Sequence, residues 1–153
     1  ATLQLGATTP SFDLEKEIDA TYPTEHITRE AVEAALQSLT GEREQLPPQY
    51  SAKKVQGVRA YEFARAGEEV ELKKALINIY SLGLLEFDLP YIKIAVRCSK
   101  GTYIRSLAFE IGEALNSGAY LRSLRRTRSG GFVVEHAHTL DDFMEKLREC
   151  ETK

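Results

Sequence analysis

Apolar and polar positions alternate at the start of the chain, with Ala1, Leu3 and Leu5 set against Thr2 and Gln4. That period of two predicts a strand with one buried face. Polar, acidic sequence follows as far as Ile27, broken at Pro10 and Pro23, and reads as loop. The period then lengthens. Val32, Ala35, Leu36 and Leu39 share one helical face, with Thr28 as N-cap, Ile27 placed to staple onto Val32, and Gly41 just past the end. Pro47-Pro48 and Gly57 interrupt the next stretch, and 60–66 can form only a short helix before Gly67.

Two β-rich runs, ALINIYSLGLLEF and YIKIAVRC, are joined by a tight turn at Asp88-Leu89-Pro90. A helix is predicted over 103–116, where Ile104, Leu107, Ala108, Ile111 and Leu115 form one apolar stripe that Gly118 closes. AYLRSLRRT predicts a second short helix. TLDDFMEKLREC predicts a last amphipathic one, capped by Thr139 or Asp141. There is no internal repeat. The order of elements predicts an α+β fold: a mixed, largely antiparallel sheet flanked by helices, in a single domain over 1–153.

Composition changes this picture little. A chain of 153 residues, 42% hydrophobic and 28% charged, can build one core. No apolar run reaches the length of a membrane span and no signal peptide opens the chain, so a cytoplasmic protein without membrane contact is expected. Cys98 and Cys150 read as idle thiols in a reducing compartment. The absence of paired Cys or His at ligand spacing argues against a metal. The chain enters its first strand at residue 1, as a cut through a longer protein would. The expectation is an open sheet edge and self-association of the piece through it.

Charge is more informative. The net charge is -3, yet Arg97, Lys100, Arg105, Arg122, Arg125, Arg126 and Arg128 face only Glu110 and Glu113 within their stretch. Lys53, Lys54, Arg59 and Arg65 form a second basic patch. Tyr50, Tyr61, Tyr103 and Tyr120 are interleaved with these cations, a combination suited to the phosphates and unstacked bases of folded RNA. A solvated face paired with the acidic half of the chain would give the same charge pattern, so charge leaves both readings open.

One position stands out. Arg105 falls at the start of a predicted helix, where the macrodipole disfavours a cation, so an anion is expected beside it. SKGT lacks the upstream glycine of a phosphate-binding loop. The three histidines, His26, His136 and His138, lack the context of a catalytic triad.

Three segments carry a resemblance: QLPPQYSAKKVQGVRAYEFARAG, VRCSKGTYIRSLAFEIG and SGAYLRSLRRTRSGGF. In this order they resemble the tRNA pseudouridine synthases of TruB type, and LGATTPSFD near the start extends the likeness over nearly the whole chain. The resemblance implies conversion of uridine 55 in the T arm of tRNA to pseudouridine, with neither metal nor organic cofactor. In that family an aspartate is the nucleophile, a tyrosine stacks on the flipped base, and an arginine holds the aspartate's charge. Arg105 matches that arginine, and Tyr103 and Leu124 match positions lining the uridine pocket. Tyr50, Ser51, Lys54, Arg59, Lys100, Arg122, Arg125 and Arg126 are the expected RNA contacts.

The likeness breaks in one place. The family's nucleophile lies in a Gly-x-Leu-Asp-Pro segment that this chain does not contain. The stacking tyrosine would fall about two residues before Ala1. Asp13 aligns with an aspartate of the family's loop, but the usual Asp-x-Asp-Gly there reads Asp-Leu-Glu-Lys. The expectation is the C-terminal portion of a catalytic domain, inactive alone. A noncatalytic RNA-binding module and a domain binding an acidic protein are the alternatives.

Overall fold

The computed structural model describes residues 1–55, 57–68 and 70–151. In chain order they form β1 (Thr2–Leu5), β2 (Ala7–Thr8), β3 (Ala20–Thr21), α1 (Arg29–Ser38), β4 (Gly41–Gln45), β5 (Lys54–Val55), β6 (Val58–Arg59) and α2 (Ala60–Arg65). After these come β7 (Ala75–Asp88), β8 (Tyr91–Cys98), α3 (Ile104–Ala114), β9 (Ala119–Ser123), β10 (Arg128–Ser129), β11 (Phe132–Val133) and α4 (Leu140–Glu151), with a 3-10 turn at Val134–His136.

The principal sheet runs β4-β7-β8-β1-β9, and each of its pairings is antiparallel. This is the α+β architecture the element order predicts. The alternation seen at residue 1 is real: Leu3 and Leu5 are buried while Thr2 and Gln4 are partly exposed. β1 is nevertheless no open edge. It lies between two strands, with Leu3 opposite Ile92 on one side and Leu121 on the other.

That second partner corrects another expectation, since AYLRS is a strand and not a helix. Ala119, Tyr120 and Leu121 are buried in succession, as befits a strand closing over the sheet. As a helix, this segment would leave the buried N–H and C=O groups along one side of β1 without the ladder that satisfies them. The outermost strands are β4 and β9. β4 is the element the hydrophobic pattern does not reveal: its sequence GEREQ pairs with β7 from Gly41↔Ile79 to Gln45↔Ala75 through backbone alone.

α1 and α3 cover one face of the sheet. The core between them holds Leu3, Leu5, Val32, Leu36, Ile77, Ile79, Ile92, Ile94, Leu107, Ile111 and Leu121, drawn from both ends of the chain. The predicted cap of α1 is present, with Thr28 Oγ1 accepting from the Ala31 N–H at 3.1 Å. α4 is capped by Thr139, whose hydroxyl accepts from the Asp142 N–H while the Asp142 carboxylate accepts from the Thr139 N–H and hydroxyl. α3 lies directly on the start of β9. A Cβ on Gly112 would stand 2.3 Å from the Ala119 nitrogen and 2.6 Å from the Gly118 carbonyl carbon, so only glycine permits the approach. Among the described residues, no helix is long and apolar enough to cross a membrane.

Candidate active site

The site is built where β8 turns into α3. The SKGT segment is the turn itself: Ser99 Oγ accepts from the Asn78 N–H at 2.9 Å, and the Thr102 hydroxyl donates to the Ser99 carbonyl at 2.9 Å. Gly101 supplies φ +83° there. Tyr103 is the N-cap residue of α3 and makes no side-chain cap of its own. Arg105 follows in the first helical turn, half-buried.

Its guanidinium ties two loop segments of the chain to α3. Nη1 donates to Asp13 Oδ2 at 3.2 Å and lies 3.5 Å from the Ser11 carbonyl, and Nη2 donates to the Tyr50 carbonyl at 2.9 Å. The carboxylate and the two carbonyls offset the repulsion between a cation and the positive end of the helix. A guanidinium has five N–H donors in a planar fork. The contacts just named engage three of them, leaving capacity to meet a further carboxylate.

The anion expected beside Arg105 therefore includes Asp13, from this chain's own loop, which the sequence reading set aside. Its position is fixed by Phe12, whose φ of +61° is a left-handed conformation costing on the order of 1–3 kcal/mol. The surroundings hold that turn. The Phe12 ring stacks on Phe109 of α3 with centroids 4.5 Å apart, and its carbonyl accepts from the Leu121 N–H of β9 at 2.9 Å. Local bonds add to this: the Phe12 N–H donates to the Thr9 carbonyl at 3.0 Å, the Thr9 hydroxyl to the Asp13 carbonyl at 2.7 Å, and the Glu15 N–H to Asp13 Oδ1 at 2.9 Å.

The remaining expected residues divide into groups. Tyr50 touches Arg105 through its backbone, while its hydroxyl donates to the Ala64 carbonyl and Lys16 Nζ lies 5.3 Å from its ring centroid. Ser51 is buried, and its hydroxyl has no hydrogen-bond partner among the described residues. Lys54 and Arg59 are exposed on the β5–β6 hairpin. Beside it, Arg65 pairs with Glu15 at 3.2 Å and packs over Tyr61. Lys100 is exposed in the turn before α3, Tyr103 is half-buried, and Leu124 is 54% exposed.

Arg122 stands apart. It projects from β9 to the sheet face opposite α1 and α3, donates to Gln4 Oε1 at 2.9 Å and to the Tyr91 hydroxyl at 3.2 Å, and lies over the Tyr91 ring. Arg125 and Arg126 are exposed in the segment that follows β9.

Further along α3, Arg43 of β4 meets the Glu110 carboxylate at 3.2 Å. Burial pushes the Glu110 carboxyl above its ordinary range, against the pull of Arg43. A raised carboxyl binds its proton more tightly in the folded state, so its contribution to stability falls as pH climbs through the mildly acidic range. Replacing Glu110 with Gln removes that slope. Urea melts of Glu110→Gln and parent between about pH 4 and pH 7 should show the difference moving in the variant's favour as pH rises; a constant difference would mean Arg43 fully compensates.

Residues 1–104 match the family model described as TruB family pseudouridylate synthase (N terminal domain), and residues 105–153 match tRNA pseudouridylate synthase B C-terminal domain. The chain belongs to the TruB family. A TruB relative from Phocaeicola vulgatus, named tRNA pseudouridine synthase B, is 64% identical over 151 residues, covering 99% of this chain and 64% of its own length. One from Burkholderia lata with the same name is 52% identical over 141 residues, covering 92% of this chain and 44% of its own. The chain thus spans less than two thirds of the length of these curated relatives.

Among solved structures, that of a Cbf5-Nop10-Gar1 complex matches with a TM-score of 0.64 and 26% identity, over 94% of this chain and 34% of that one. An H/ACA RNP bound to a substrate RNA containing 2'-deoxyuridine shares the fold, with a TM-score of 0.59 at 23% identity. The boundary between the two family models falls between Ile104 and Arg105, inside α3, whose stripe packs into a core shared with residues on both sides of it.

Proposed function

We propose that the chain is the C-terminal portion of the catalytic domain of a cytoplasmic tRNA pseudouridine synthase acting on uridine 55 of the T arm. In this reading the nucleophilic aspartate is supplied by a Gly-x-Leu-Asp-Pro segment outside the 153 residues. The observation that carries it is Arg105: a half-buried guanidinium on a rigid helix start, held by Asp13 and two carbonyls, with donors remaining for a second carboxylate.

The chemistry is an isomerisation. The bond from C1' to N1 of uracil breaks, the base rotates, a bond from C1' to C5 forms, C5 gives up its proton and N1 gains one. No electron or group leaves the system, so no cofactor is required. Arg105 keeps the attacking carboxylate ionised through charge pairing. Tyr103 and Leu124 flank the uracil. Tyr50, Lys54, Arg59, Lys100, Arg122, Arg125 and Arg126 contact the RNA, Tyr50 also fixing Arg105 through its carbonyl, whereas Ser51, expected among them, is 1% exposed and too buried to reach it.

The test is isomerisation of an unmodified tRNA transcript by the complete gene product, read as carbodiimide-stable stops in primer extension. Pseudouridine at the T-arm uridine is expected, with none from the 153-residue chain alone. RNA binding without isomerisation by the complete product would leave a noncatalytic RNA-binding module. Turnover by the isolated chain would show that the nucleophile lies within it.

Phosphate contacts position an RNA and dominate the salt dependence of binding. Replacing both Arg125 and Arg126 with Ala should weaken tRNA binding and flatten the plot of log Kd against log salt by about 1.5. An unchanged slope would assign both side chains to the protein's own surface.

A further inference from the structure

Gln45 ends β4 and is 2% exposed. An amide that deep costs about 1–3 kcal/mol for each polar group left without a partner, and this one leaves none. Its Oε1 accepts from the Tyr103 N–H at 2.8 Å, and its Nε2 donates to the Tyr103 carbonyl at 3.2 Å. Gln45 also lowers the pKa of the Glu110 carboxyl slightly, against the larger upward effect of burial. Both ends of the amide are thus committed to α3.

The helix needs this partner. α1 carries its own cap in Thr28, but α3 starts at Tyr103 with none. In a capping box, the third residue of the helix reaches back to the N-cap N–H. In α3 that residue is Ser106, whose hydroxyl turns away and donates to the Leu46 carbonyl at 2.8 Å. Gln45 makes the missing contact from a neighbouring strand. It also grips the Tyr103 carbonyl, which accepts the first helical hydrogen bond, from the Leu107 N–H. Two residues further on is Arg105.

We propose that Gln45 is a positioning residue for isomerisation, clamping the backbone of Tyr103 so that the Tyr103 and Arg105 side chains leave α3 in fixed directions; this rests on the function proposed above. The residue type follows from the contacts. Glutamate would accept from the Tyr103 N–H but offer no donor, and would set a second carboxylate against Glu110. Asparagine is one methylene too short to reach both backbone groups.

The complete gene product carrying Gln45→Met or Gln45→Glu tests this, with single-turnover rate, tRNA Kd and amide exchange at Tyr103 as readouts. For Gln45→Met the rate should fall at least about tenfold while Kd stays within about twofold, because the RNA-contacting surface is untouched. Exchange at the Tyr103 amide should accelerate at least about tenfold more than at amides in the middle of α3. For Gln45→Glu the rate relative to parent should recover as pH falls, since protonation restores a donor and removes the clash with Glu110. That ratio decides the matter if the Met variant fails to fold.

An unchanged rate, a loss of rate matched by a loss of affinity, or uniform acceleration of exchange along the helix would overturn the proposal. If the parent itself makes no pseudouridine, the function reading fails, and Tyr103 exchange alone decides whether the clamp exists.

Discussion

Arg105→Lys should lower the single-turnover rate of uridine isomerisation by about two to three orders of magnitude in the complete gene product, with tRNA Kd nearly unchanged. The size is that of removing one preorganised electrostatic donor from a site where charge develops. Lysine keeps the charge but not the fork. A single ammonium cannot reach Asp13 at 3.2 Å and the Tyr50 carbonyl at 2.9 Å together while presenting donors to another carboxylate. The reaction step and binding must be measured separately, by rapid quench and by filter binding at fixed salt. A loss of affinity equal to the loss of rate would make Arg105 an RNA contact, and its pairing with Asp13 a local structural link.

Gly112→Ala should destabilise the fold by about 3 kcal/mol, at the upper end for overpacking a core with one methyl group. The added Cβ would meet backbone at 2.3 and 2.6 Å, with no flexible side chain able to move aside. α3 would have to lift from β9, carrying the helix start and Arg105 with it. The urea midpoint should fall, and at temperatures where the variant is still folded its isomerisation rate should fall further than its tRNA affinity. A stability within about 0.5 kcal/mol of parent would mean that the strand start yields easily.

The parts legible in the sequence were those whose signal is local and long. α1 and α3 announce themselves by apolar stripes over three turns, and the β7–β8 pair by runs of β-branched and aromatic residues. β9 reads as a helix in the sequence because Leu121 and Leu124, with Arg122 and Ser123 between them, suit a helix as well as a strand. What decides is the demand of β1 for a second partner, which no local window contains. β4 gave no signal, since an edge strand pairing through its backbone needs no apolar residue.

The site divides in the same way. Arg105 was visible as a cation at a helix start and through the motif around it. Asp13 was not, because its place depends on the left-handed turn at Phe12. Gln45 was hidden by lying in a segment that reads as polar loop. Its burial is created by the pairing of β4 with β7 and by the packing of α3 above it.

The Phe12 turn has a consequence for the order in which the molecule is assembled. Its strained residue is held by a ring on α3 and an amide on β9, so the turn has both long-range restraints only once α3 and β9 are in place. A spectroscopic label beside residue 13 would therefore sense the docking of α3 and β9, whereas probes in the β7–β8 hairpin would respond to that pairing alone.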